Sequence, residues 1–109
     1  MANKQVSAYD ITAPCVIAPP SPLNFVNGLV GFIAQSAGSA GNLVFNDCAT
    51  LAQASAENQI LTLTAAQAAV GTLPIGAGDQ PLPIANGLVI SEVPTGMVLT
   101  VVYTIYVPG

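Results

Sequence analysis

The clearest pattern in the chain is an alternation of apolar positions in residues 97–107. One set of alternate positions is wholly apolar and comprises Met97, Leu99, Val101, Tyr103, Ile105 and Val107. Since successive side chains of a strand point to opposite faces, this segment is predicted to be a central strand of the fold, with one face in the core. Pro94-Thr95-Gly96 supplies a turn before it. The sequence therefore predicts a hairpin in which residues 88–90 pair with residues 97–101.

Shorter segments with strand character precede this hairpin. Residues 1–10 are predicted to form an arm or a first edge strand, and Pro14 confines the strand predicted at residues 11–17 to an edge. Further strands are predicted at residues 29–35, 42–48 and 59–64, with a short edge strand at residues 73–75. These segments are bounded by Gly, Pro, Asn and Ser residues, as strands of an antiparallel sheet commonly are.

The segments between the strands carry turn signals. The small residues at 36–41 predict a hairpin loop, and residues 49–57 predict a connection. Residues 65–70 predict a short helix that ends at Gly71. About six to eight short strands without long alternating helices predict an all-β protein, either an antiparallel β-sandwich or a barrel of jelly-roll-like form.

A chain of 109 residues is large enough for one hydrophobic core. We therefore expect a single compact domain overall. Within it, residues 1–22 are predicted to form an N-terminal arm and a Pro-rich segment, and residues 23–109 the β-sandwich.

The surface of this protein is expected to be almost uncharged. Charged residues make up 6% of the chain, against about 25% in ordinary soluble domains, and Lys4 is the only cation in a chain of net charge −4. A monomer would expose this neutral surface to solvent. We therefore expect a homo-oligomer, and a trimer is the favoured form. A chain with one cation cannot neutralise phosphates, so no nucleic acid is expected as a partner.

No membrane partner is expected, because the apolar runs are far shorter than the roughly 20 residues that a spanning helix needs. Polar residues follow Met1 where a secretory signal would carry an apolar segment. We therefore expect that the chain is not exported.

Candidate chemistry is sparse. The chain has no His, which excludes His-based acid–base catalysis and His metal ligands. The acids are dispersed along the sequence and are interpreted as solubility and turn residues; they are Asp10, Asp47, Glu57, Asp79 and Glu92. The aromatic residues are also dispersed and are assigned to the core; they are Tyr9, Phe25, Phe32, Phe45, Tyr103 and Tyr106. We expect no enzyme activity, no catalytic or cofactor-binding residues, no cofactor and no metal.

The two cysteines, Cys15 and Cys48, lack the short spacing of a zinc site. They are open to three interpretations, which are a disulfide, two buried thiols, or a cross-link to a neighbouring subunit. Buried thiols are favoured because no export signal is recognised. Cys48 is expected to be the more buried, and Cys15, beside Pro14, the more exposed.

Three segments together resemble the small accessory virion proteins of tailed bacteriophages. In these proteins a Gly-x-Leu-x-Val/Phe-x-Asp strand is followed by an Asn-Gly-Leu strand and a terminal Val-rich strand that ends near Tyr. The corresponding segments here are Gly41-Asn42-Leu43-Val44-Phe45-Asn46-Asp47, Pro83-Ile84-Ala85-Asn86-Gly87-Leu88-Val89-Ile90, and residues 97–103.

The resemblance implies an oligomeric, non-enzymatic capsid decoration (cement) protein or head-fibre protein. Its expected partner is the major capsid protein, and its expected location is the virion, assembled in the host bacterial cytoplasm. The alternatives are a tail or head-fibre adaptor subunit and a small ligand-binding β-sandwich module.

Overall fold

The computed structural model describes residues 2–18, 24–69, 71 and 81–107 of the chain. Within these residues, strands form two four-stranded antiparallel sheets. The strands are β1 (Ala2–Ile11), β2 (Cys15–Val16), β3 (Phe25–Ser36), β4 (Asn42–Asp47), β5 (Gln59–Thr64), β6 (Leu82–Pro83), β7 (Leu88–Glu92) and β8 (Val98–Val107). The predicted all-β antiparallel fold is confirmed.

The strand order is that of a jelly roll. Sheet A has the order β1-β8-β3-β6, and sheet B has the order β2-β7-β4-β5. The first strand thus pairs with the eighth, the second with the seventh, the third with the sixth and the fourth with the fifth. This is the pairing of one long hairpin that has been rolled into two layers. The link from β4 to β5 stays within sheet B, and the others cross between the sheets.

The predicted terminal hairpin is wrong. β7 lies in sheet B between β2 and β4, whereas β8 lies in sheet A between β1 and β3. The turn itself is present, because the N–H of Met97 donates to the carbonyl of Pro94 at 3.1 Å and Gly96 has a φ of 82°. It carries the chain from one sheet to the other. Alternation in the sequence indicates which side chains face the core, but it does not indicate which strands pair with each other.

The small residues at 36–41 also cross between sheets, so the predicted hairpin loop there is wrong as well. They lead from β3 in sheet A to β4 in sheet B. Two backbone hydrogen bonds of 2.9 Å tie this crossing to the β7–β8 turn, one from Ser39 to Thr95 and one from Thr95 to Ala40. Each crossing loop therefore supplies backbone partners for the other.

The core lies between the two inner sheet faces. β8 is central in sheet A, as predicted, and its inward side chains from Leu99 to Ile105 are buried. Phe32 from sheet A meets Phe45 from sheet B with ring centroids 5.9 Å apart. The buried apolar cluster also includes Leu29, Leu43, Leu88, Ile90, Met97, Leu99, Val101, Tyr103 and Ile105.

Both N-terminal strands lie at sheet edges. β1 is the edge of sheet A and β2 the edge of sheet B, so residues 12–14 join the two layers along one side. Asp10, with a φ of 56°, lies where the pairing of β1 with β8 shifts register. Of the remaining predictions, the strand at residues 73–75 and most of the Pro-rich segment fall outside the described residues.

A short helix, α1 (Ala65–Ala68), follows β5 as the sequence predicted. The N–H of Gln67 donates to the Thr64 hydroxyl at 3.2 Å, which caps its first turn. Gly71, with a φ of 68°, lies against the backbone of β3, where a Cβ would stand 2.8 Å from the Phe32 carbonyl oxygen. The helix therefore leads from sheet B back to sheet A.

We predict that Phe32→Ala lowers the free energy of unfolding by about 3–5 kcal/mol, because it opens a cavity between the two sheets. The matched control is Ile33→Ala, the next residue on the same strand, whose side chain points away from the core and is 47% exposed. It should cost about 1 kcal/mol or less. Urea unfolding of both variants measures the difference, and equal losses would contradict this placement of the core.

Candidate functional site

The acidic residues in the described part of the chain do not converge. Among the described residues no group of three or more His, Cys, Asp or Glu side chains is placed to hold a metal ion. Glu92 instead accepts the backbone N–H of Asn42 at 2.8 Å, and Asp10 accepts a hydrogen bond from the amide of Gln35 at 3.3 Å. Asp79 lies outside the described residues. The contacts of these acids are structural.

Asp47 has the most extensive set of contacts of these acids. Its carboxylate accepts the backbone N–H groups of Ala85 at 3.1 Å, Asn86 at 2.8 Å and Gly87 at 3.3 Å. The interpretation of Asp47 as only a solubility or turn residue is therefore incomplete. It fastens the crossing from β6 to β7 onto the end of β4. Gly87, with a φ of 150°, is needed there because a Cβ would stand 2.5 Å from the carbonyl oxygen of Cys48.

Asn46 organises the outer face of sheet B. Its side chain is almost fully buried and makes three hydrogen bonds. The amide nitrogen donates to the carbonyl of Ser55 at 3.0 Å and to the side chain of Asn58 at 2.8 Å, while the amide oxygen accepts from Ser91 at 2.6 Å. These bonds hold residues 48–58, with their two 3-10 turns, against the sheet. Part of the outer face of sheet B is consequently covered.

The outer face of sheet A has a different character. Three large apolar side chains on its strands remain exposed, namely Tyr9 at 70%, Phe25 at 55% and Ile33 at 47%. Ile33 pairs with Thr100, and Phe25 pairs with Tyr106, so both point away from the core. The Phe25 and Tyr106 rings stack with centroids 4.9 Å apart. We call this surface the open face of sheet A.

The open face was missed from the sequence. The assignment of all six aromatic residues to the core is wrong for Tyr9 and Phe25, which are exposed. Both belong to apolar stretches in which neighbouring residues face opposite ways. The signal that could have found them is the register of β1 and β3 against β8, and register is set by tertiary pairing.

Polar side chains on the open face bond to one another across strands. The Thr100 hydroxyl donates to Gln35 at 2.8 Å, and Gln35 in turn donates to Asp10. Farther along, the Thr104 hydroxyl donates to the Asn27 side chain at 2.7 Å. These hydrogen bonds hold the polar side chains close to the sheet. The exposed apolar side chains lie on the same face. The face is therefore a preformed surface of mixed, mainly neutral character.

An open cleft of about 380 Å³ lies at one end of the sandwich. The turn that Asp47 fastens forms one side of it, and the ends of β2 and β3 form another. Its lining is mostly apolar, with Asn24 and Asn86 as polar groups and Phe25 where the cleft meets the open face. This arrangement could receive a small, largely apolar group.

The two cysteines are free thiols. Cys48 is buried at the start of residues 48–58, and its Sγ lies 3.4 Å from the carbonyl oxygen of Thr50. Cys15 is half-buried at the edge of sheet B. The predicted order of burial is thus confirmed. Burial raises the pKa of both thiols above the ordinary value of 9.0, and the charge of Asp47 raises the pKa of Cys48 further.

Comparison of the chain with protein-family models, curated proteins and solved structures yields no match in any of the three. Among the described residues, no helix has the length and apolar character needed to cross a membrane.

We predict that Asp47→Asn lowers the free energy of unfolding by about 1–3 kcal/mol. The substitution removes the charge and replaces one acceptor oxygen by a donor that faces backbone N–H groups. Glu57→Gln is the control, because it makes the same charge change at an exposed side chain. Denaturant midpoints compare the two variants. An effect of Asp47→Asn no larger than that of the control would argue against a stabilising role of the Asp47 hydrogen bonds.

The thiols should react slowly with a thiol reagent near pH 8, with Cys48 slower than Cys15. Burial keeps both in the protonated form, and the thiolate is the reactive species. The same pKa shifts favour the folded state below pH 9.0, and that contribution is lost as the pH rises above it. Labelling of Cys15→Ser and Cys48→Ser separately, in the native and denatured states, assigns the rates. Fast native labelling of Cys48 would show that residues 48–58 do not cover it.

Proposed function

We propose that this protein is a non-enzymatic structural subunit of a bacteriophage virion, most specifically a capsid decoration (cement) protein. The observation that carries the proposal is the open face of sheet A on a chain with only 6% charged residues. Large apolar side chains that stay exposed on one sheet face are typical of protein–protein contact sites. The subunit would use this face against the major capsid protein.

The chemical groups of the chain support a role in contact rather than catalysis. The carboxylates of Asp47 and Glu92 bind backbone N–H groups of neighbouring segments. The raised pKa of each thiol disfavours a reactive thiolate. The carboxylates of Asp47 and Glu92 are thus engaged in holding neighbouring segments together.

The resemblance to phage accessory proteins supports the virion as the location. Its two upstream segments meet in the structure, because Asp47 at the end of the first binds three N–H groups within the second. Jelly rolls serve in viral capsids and also in lectins, so the fold alone does not select between these functions. A tail or head-fibre adaptor subunit would use the same face against a different virion protein.

A second candidate is a small ligand-binding module. The cleft at the end of the sandwich and the exposed Phe25 beside it favour this alternative, because aromatic rings and amide side chains commonly line sugar and peptide sites. Binding of soluble oligosaccharides that Phe25→Ala abolishes, while Ile33→Ala does not, would favour the module over the virion subunit.

The proposal is tested first by the reading frames beside this gene. A gene for a major capsid protein next to it supports the virion role, and a purely metabolic neighbourhood would overturn it. Where a capsid gene is present, shells assembled from its product should co-sediment with the purified protein.

In that assay Ile33→Glu should weaken attachment at least tenfold, since it places a charge on the open face. Leu51→Glu is the matched control, because Leu51 is 41% exposed but lies on the 3-10 turn that covers sheet B. Attachment that survives Ile33→Glu but is lost with Leu51→Glu would move the contact to the other side of the sandwich.

A further inference from the structure

The edges of the two sheets differ in how well they are protected against pairing with another strand. Proteins block open edges with short strands, prolines, bulges and inward-facing charges. β2 and β6 are two residues each, and β6 contains Pro83. β1 is long, but Lys4 is opposite the core residue Ile105 and the register shifts between Ala8 and Ile11. Three of the four edges in the described part of the chain are thus protected along their length.

The fourth edge, β5, is the least protected, because its one such device is a register shift at Ile60, close to one end of the strand. Its sequence, Gln59-Ile60-Leu61-Thr62-Leu63-Thr64, contains no charge, no proline and no glycine, and is rich in residues that favour strands. β4 pairs with one side of β5, and the described residues place no strand on the other side. A register shift at Ile60 leaves residues 61–64 as the regular part of this edge.

The side chains of β5 are only partly covered. Leu61 pairs with Phe45 and Leu63 with Leu43, so both leucines share the inner face with core residues yet remain half-exposed. Thr62 is on the outer face and is exposed. Among the described residues, the outer side of β5 therefore meets no strand, and its two leucines keep part of their apolar surface exposed.

We infer that β5 pairs with β5 of a second copy of this chain, antiparallel and about a two-fold axis, so that sheet B continues across both copies as eight strands. This inference deepens the proposed role as a structural subunit of a larger assembly and rests on it.

The second copy is the occupant that the residues of β5 favour. A two-fold axis perpendicular to the sheet keeps inner faces together, so Thr62 can lie opposite Thr62 of the second copy and Leu61 opposite Leu63. Such threonine and leucine pairs stabilise neighbouring antiparallel strands. A partner that binds through ion pairs would meet no charged side chain on β5.

The overall charge of the chain sets the expected salt dependence. Two copies of net charge −4 repel one another, and added salt screens that repulsion. Dimerisation should therefore strengthen with salt. The two-fold symmetry differs from the trimer expected from composition, so the mass of the assembly distinguishes the two.

The test uses Thr62→Lys and Thr62→Glu, each of which places like charges opposite one another across the axis. Circular dichroism should show both variants folded, because Thr62 is exposed. Sedimentation velocity over a concentration series should show a wild-type dimer and at least a tenfold weaker dimer for each variant. An equimolar mixture of the two should recover the dimer, because opposite charges then face each other.

Gln5→Lys is the matched control, since it adds the same charge to an exposed position on the β1 edge. It should leave the dimer unchanged. A wild-type monomer at all concentrations, a trimer, an equal effect of Gln5→Lys, or a mixture that stays monomeric would each overturn the β5 pairing. Co-sedimentation of Thr62→Lys with capsid shells is measured separately, so failure of the pairing is distinguishable from failure of the virion proposal.

Discussion

Burial of the inner face of β8 is the constraint on which this sandwich depends. Leu99, Val101 and Ile105 have almost no exposed surface, and β8 takes both β1 and β3 as neighbours. Every fully buried side chain of this size contributes on the order of 1.5–3 kcal/mol. The neighbouring strands on both sides and the second sheet together bury this face.

The jelly-roll order makes the crossings between sheets as important as the sheets themselves. A chain that changes layer at most of its links leaves backbone groups at each crossing that no ladder can satisfy. Here the crossings supply partners for one another, as Ser39 and Thr95 do, or use a side chain, as Asp47 does for the β6–β7 turn. A few polar side chains at strand ends therefore hold the two layers in register.

The two outer faces divide the molecule into a covered side and an open side. Asn46 draws residues 48–58 over part of sheet B, and that segment buries Cys48. Sheet A has no comparable covering in the described residues, and Phe25 and Ile33 stay exposed on it. This asymmetry, together with the less protected edge at β5, gives the described part of the protein distinct contact surfaces although it has few charges. Such surfaces suit a subunit that contacts other proteins.

The sequence by itself determined the fold class, the central strand and the short helix. Alternation over residues 97–107, the turn at Pro94-Thr95-Gly96 and the cap at Thr64 are local, and local chemistry is enough to specify them. Only the tertiary structure decided that this turn crosses between sheets and that Tyr9 and Phe25 face solvent. Strand partners and register depend on contacts between residues far apart in the chain, so the same alternating pattern is compatible with a hairpin or a sheet crossing until the whole core is packed.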